Sequence, residues 1–196
     1  VLNASGRART LRLTSYGEVV LAPPLEDARH PAFSKLFVNS EHLPEINGLL
    51  FTRRAREPGD KPPVLLRRIV GVTPNIKVTG FETDRRCFIG RNGNARRPLG
   101  LVGGLTGKAG WTLDPVMALQ VRLELEPHER REFAFVTLAA GSRESVLELA
   151  ERYATLSSLD WTFGNATVEA GRESHRLGLE PARLPELQRL SSLMLL

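Results

Sequence analysis

The residues best equipped for chemistry lie in one run, Gly80-Phe81-Glu82-Thr83-Asp84-Arg85-Arg86-Cys87-Phe88-Ile89-Gly90-Arg91. Two acids, three arginines and two aromatics share it, with a glycine near each end where the backbone turns or is approached closely. The charges are too dense and the alternation too poor for a simple buried strand, so a loop between two strands is expected. In its bland form that loop is solvated and its charges pair with one another. In the sharper form Arg85 and Arg91 present planar donor forks to hydroxyls or anions, with Glu82, Asp84 and Arg86 as the clamp that holds them.

Catalysis is not expected from this run. Acid–base cleavage of a bond needs a carboxylic acid and a base placed across it. Glu82 and Asp84 lie two apart and would share one face of a strand, but the arginines beside them favour two ionised carboxylates, the wrong state for a general acid. His30, His42, His128 and His175 are too scattered for a metal site, so none is expected, and no cofactor is called for. Ser15, Ser34 and Ser142 sit in no nucleophile-elbow context. The glycine-rich stretch Asn92 to Gly110 lacks the strand-to-helix switch of a dinucleotide fingerprint, and Gly107-Lys108 is followed by Ala109, so a phosphate loop is absent. Trp111, just after that stretch, has a flat apolar face suited to stacking on a sugar ring, more so than Trp161. The alternative for either tryptophan is a place in the core.

Composition narrows the class. The net charge of +5 comes from 27 basic and 22 acidic residues, and the arginine pairs are spread along the chain. Aromatics make up only 6%, so the basic stripe with interleaved aromatics that nucleic-acid binding asks for is missing. Cys87 is the only cysteine; neither an intramolecular disulfide nor a thiolate cluster follows, and it reads as a small packing residue beside Phe88. No apolar run reaches the ~18 residues of a membrane span. Val1 is not a start residue, and a piece of a longer protein is expected.

The elements that must position these residues come as strands first and helices second. Arg9 to Leu21 alternates and reads as a strand bent near Gly17, stopped by Pro23 and Pro24. Leu25 to Ser40 is an irregular excursion whose Phe33, Leu36 and Phe37 suit one helical turn. Strands are expected at Gly48–Arg54, Val64–Val72 and Ile76–Thr79, with a surface loop at Arg56–Pro63. Val121 to Leu125 alternates strictly, and Glu132 to Ala139 runs back from it as a hairpin or a sandwich connection. The period changes at Gly141. Ser142 is a good N-cap, and Val146, Leu149, Ala150 and Tyr153 follow at helical spacing. A second helix is expected from Asp160 or Thr162 to near Gly178. A third opens at Pro181 or Pro185, with Leu184, Leu187, Leu190 and Met194 on one stripe and an apolar end at Leu195 and Leu196. Residues 1–140 are thus expected to form part of a sandwich and 141–196 a helical segment.

Several of these segments together resemble a known family. Leu13 to Pro24, with His30 to Val38, is similar to the sandwich region of cyclic β-1,2-glucan synthases. Gly80 to Arg91 resembles a motif of the wider cellobiose and chitobiose phosphorylase family, glycoside hydrolase family 94. Asp114-Pro115 and the run Leu159 to Asn165 are similar to that family's path into its helical domain. The resemblance implies a mainly β fold: an antiparallel β-sandwich (supersandwich, galactose-mutarotase-like), then a helical linker leading to an (α/α)6 barrel that lies outside this chain. The catalytic aspartate and most of the phosphate site belong to that barrel. What is implied here is therefore a non-catalytic fragment of a β-glucan-processing synthase or phosphorylase. It would scaffold the enzyme and line the sugar site through Arg85, Arg91, Trp111 and Asp84. Its implied partners are β-glucan oligosaccharide, the remainder of the parent and a second copy in a homodimer, with no nucleic acid. The implied location is the cytoplasm-facing part of a parent anchored in the inner membrane. The alternative is a structural interaction domain with no ligand of its own.

Overall fold

The computed structural model describes residues 1–194; Leu195 and Leu196, the apolar end expected from sequence, lie outside the described residues. The chain divides into two compact units, Val1–Ala154 and Thr155–Leu196.

The first unit is a sandwich of two antiparallel sheets. Its strands are β1 (Arg9–Ser15), β2 (Val38–Leu43), β3 (Gly48–Arg53), β4 (Val64–Val70), β5 (Ile76–Asp84), β6 (Pro115–Leu125) and β7 (Ala134–Ala140). One sheet has the order β1-β6-β5 and the other β2-β3-β4-β7. The expected antiparallel sandwich is therefore the observed fold. The consecutive strands β6 and β7 belong to different sheets, so the turn between them is a sandwich connection rather than a hairpin.

Strand alternation explains the layers. Leu49 and Phe51 of β3 and Leu119, Val121 and Leu123 of β6 project between the sheets, where they are fully buried with Val38 and Ile76. Burying each such side chain contributes about 1.5–3 kcal/mol. Leu50 and Leu66, on the opposite face of the four-stranded sheet, pack under the helix Arg143–Arg152 through Val146 and Ala150. This packing is why the first unit extends through Ala154 rather than ending at Ala140. Val116 and Ala118, on the outer face of the other sheet, pack under Phe88 and Ile89 of a short helix, Arg85–Ile89.

The excursion after the first strand holds two short helices, Pro24–Arg29 and Pro31–Lys35. It leads into β2, an edge strand absent from the sequence expectation because Val38-Asn39-Ser40-Glu41-His42-Leu43 carries mostly polar side chains. After β1 the chain stays beside β6: Gly17 and Met117 exchange backbone hydrogen bonds of 3.2 and 2.8 Å, and Val19 donates to the Pro115 carbonyl at 3.2 Å.

The second unit contains one long helix, Leu156–Arg176, and a shorter one, Leu184–Met194. The long helix starts four or more residues before the expected point. Thr155 caps it: the Thr155 hydroxyl accepts from the Ser158 amide at 3.1 Å, while the Ser158 hydroxyl accepts from the Thr155 amide at 3.4 Å. Trp161 on this helix is exposed. No helix among the described residues is long and apolar enough to cross a membrane.

Candidate functional site

The run Gly80–Arg91 is not a loop. Its first half is the end of β5 and its second half is the helix Arg85–Ile89, with Asp84 at the junction as N-cap. The Asp84 carboxylate accepts from the Arg86 amide at 2.8 Å, satisfying a donor that the helix itself leaves free. Gly90 ends the helix at φ +91°, a backbone conformation that favours glycine.

Glu82 is 1% exposed, on the face of β5 opposite Ala118. One oxygen accepts from the Thr83 and Asp84 amides at 3.0 Å each. The other accepts from the Thr106 amide at 3.1 Å and its hydroxyl at 2.7 Å. Every donor is neutral, so the surrounding arginines expected from sequence are not its partners. Nor do Glu82 and Asp84 share one regular face, because the β5–β6 register shifts between them. Glu82 thus acts as a clasp between the strand and the glycine-rich loop. The same loop is tied by Gly107 N–H to the Phe81 carbonyl at 3.1 Å and by the Thr83 hydroxyl to the Lys108 carbonyl at 3.0 Å. It then crosses to the other sheet, where the Gly110 carbonyl accepts from the Ser40 amide at 3.1 Å.

That path delivers Asp114, which no feature of the sequence marks as a partner of Arg85. The Arg85 amide donates to the Asp114 carbonyl at 3.0 Å, and its Nε lies 3.7 Å from the Asp114 carboxylate and 3.3 Å from that of Glu18. Lys35 Nζ closes the network at 2.8 Å from Asp114 and 3.5 Å from Glu18. Burial pushes the Glu18 carboxyl up, but Lys35 and Arg85 outweigh it and hold the group below its ordinary value. Burial likewise pulls Lys35 down, and the hydrogen bond and charge of Asp114 reverse it, leaving the ammonium above its ordinary value. Tyr16 stacks on Phe88 with centroids 4.8 Å apart, and its hydroxyl reaches Glu18 at 3.3 Å.

Around this network lies a cleft of about 360 Å³ lined by Arg85, Arg86, Gly90, Arg91 and Asp114. The structure therefore brings Arg85 and Arg91 together. Arg86 and Arg91 form no ion pair among the described residues, whereas Arg85 is held by Glu18 and Asp114 rather than by Glu82 and Asp84. Trp111 is 63% exposed and is not among the residues lining the cleft. Cys87 is also exposed, not packed with Phe88 as its type suggests, since the five-residue helix turns only Phe88 and Ile89 inward. Glu18, Lys35 and Asp114 were not legible as site residues, because they meet only through contacts between distant segments.

The glycosyl hydrolase 94 supersandwich family model matches residues 1–156. The chain belongs to that family. It is also 32% identical over 155 residues to the cyclic beta-(1,2)-glucan synthase NdvB of Rhizobium meliloti (strain 1021), a match covering 78% of this chain. The matched region spans 6% of that relative's length. The match ends near Ala154, where the sandwich unit ends, so the family's supersandwich corresponds to the first unit.

Proposed function

We propose that this glycosyl hydrolase 94 supersandwich is a non-catalytic part of a β-glucan-processing enzyme, of synthase or phosphorylase type, and that its arginine cleft forms one wall of the saccharide site. The observation that carries this reading is the pairing pattern in the cleft. Arg85 is fixed by Asp114 and Glu18, while Arg86 and Arg91 line the cleft with no ion pair among the described residues. Planar guanidinium forks set in this way suit vicinal hydroxyls and anionic groups. The single carboxyl lining the cleft, Asp114, is already engaged by Lys35 at 2.8 Å. A fixed ion pair is a poor donor of a proton to a leaving group, which favours a binding role over a catalytic one. Asp84 supports the cleft as the helix cap, and Trp111 is an exposed platform on its own loop. The protein partners under this reading are the remainder of the parent, reached through the helical segment, and a second copy in a homodimer. The parent would be anchored in the inner membrane with this portion facing the cytoplasm.

Calorimetric titration of the 196-residue chain with β-1,2-glucooligosaccharides tests the cleft. Binding is expected, and Arg91→Ala should weaken it about tenfold, the loss of one charge-assisted hydrogen bond. No heat with this chain, together with unchanged activity of the complete enzyme carrying Arg85→Ala, would leave the interaction-domain reading in its place.

A further inference from the structure

A second polar surface lies on the outer face of the three-stranded sheet and shares no lining residue with the arginine cleft. Strand register aligns Arg12 of β1 with Arg122 of β6, and Arg122 with Lys77 of β5. Three cations therefore stand abreast across all three strands. Like charges directly opposite one another destabilise a sheet. Here Glu124 pairs with Arg122 at 3.0 Å, but Arg12 and Lys77 have no acidic partner among the described residues.

Beside this row runs a ladder of neutral hydrogen-bonding groups. Gln120, which is 8% exposed, donates from its amide to the Thr14 hydroxyl at 3.0 Å and accepts from the Thr79 hydroxyl at 3.2 Å. The amide retains a second N–H, and each threonine hydroxyl retains acceptor capacity. Arg12 and Arg122 of the row and Gln120 and Thr79 of the ladder line a groove of about 620 Å³, together with Thr10, Gly104 and Leu105. The floor is rigid sheet, so the groups are preorganised.

We propose that this face binds a hydroxyl-rich ligand carrying an oxyanion, a phosphate or carboxylate group on a saccharide. The oxyanion sits on Arg12 and Arg122, and the hydroxyls run along Gln120 and Thr79. Charge complementarity sets the choice: an oxyanion relieves the repulsion within the row, and a neutral sugar does not.

The test titrates the 196-residue chain at low salt with glucose 6-phosphate, glucuronate, inorganic phosphate and glucose. Glucose 6-phosphate or glucuronate should bind about tenfold more tightly than glucose or free phosphate, and the stronger of the two identifies the oxyanion. Arg122→Ser should reduce that affinity about tenfold, about 0.5 M NaCl should weaken it, and Arg172→Ser, which removes an exposed arginine of the long helix, should leave it unchanged. Without ligand, Arg12→Thr should raise the Tm, because a like-charged neighbour is removed. Equal affinity for glucose and its phosphate would overturn the proposal, as would unchanged binding in Arg122→Ser. Equally tight binding of a short single-stranded oligonucleotide, or a lower Tm for Arg12→Thr, would overturn it too. Failure of the arginine cleft to bind neutral glucan has no bearing on these outcomes.

Discussion

Glu82 shows how much one side chain can organise. Four hydrogen bonds converge on its two buried oxygens, from residues next to it and from Thr106 across the glycine-rich loop. Removing the acceptor leaves buried amides without partners, each costing about 1–3 kcal/mol. Glu82→Leu is therefore expected to destabilise the sandwich by roughly 3 kcal/mol, read as a fall in the urea midpoint, and to expose the Thr106 amide to hydrogen exchange. An unchanged midpoint would mean the clasp is dispensable. From sequence this residue looked like one charge among many in a crowded run. Its type and place were legible, but its burial was not, because burial depends on the Thr106 loop folding over it. The partners of Arg85 are hidden from the sequence for the same reason. Its acids come from positions 18 and 114, and nothing local distinguishes them from Glu82 and Asp84 three and one residues away.

Elements were easier to read where capping and periodicity agreed. For the helix Arg143–Arg152 the reading needs only Gly141, Ser142 and the apolar spacing after them. The Ser142 hydroxyl accepts from the Ser145 amide at 3.1 Å, and the helix lays Val146 and Ala150 on the four-stranded sheet. Ser142→Ala is expected to cost about 1 kcal/mol, seen as a lower Tm, and Ser142→Asp should restore most of it. Equal Tm for all three proteins would remove the cap from the account. Arg68 of β4, a buried cation, adds a second tie by donating from Nη1 to the Ala150 carbonyl near the helix end at 2.6 Å. The strand β2 escaped notice for the converse reason. At the edge of its sheet only one side finds a ladder, so apolar alternation is weak and propensity says little. The early start of the long helix was missed because Ser158 as a capping partner is a subtler mark than glutamate at that place.

At the scale of the sandwich, the ion pairs that link distant segments set its response to pH. Glu18 and Glu41 both have carboxyls held below their ordinary value, the first against burial by Lys35 and Arg85, the second by its hydrogen bonds to Arg143. A depressed carboxyl stabilises the fold above its unfolded value and loses that contribution as pH falls through the folded one. Tm should therefore decline between about pH 5 and pH 3. Glu41→Gln should flatten this acid limb, and an identical limb in wild type and variant would refute the assignment. Lys35 has the opposite sign. Raised above its ordinary value, it contributes at lower pH and loses its contribution only in strongly alkaline solution. The two-sheet architecture itself was legible from the order of strands and helices. Pairing across the sheets, and so the ion pairs that depend on it, was not.

One feature of the short helix has a practical side. Cys87 is the chain's single thiol, exposed on the turn that carries Arg85 and Arg86 into the cleft. Burial, then the charges of Asp84 and Glu82, push the thiol above its ordinary value, so alkylation is slow at neutral pH and quickens as the pH is raised. A fluorophore attached there needs no engineered cysteine, and it would report occupancy of the neighbouring cleft from within the native sequence.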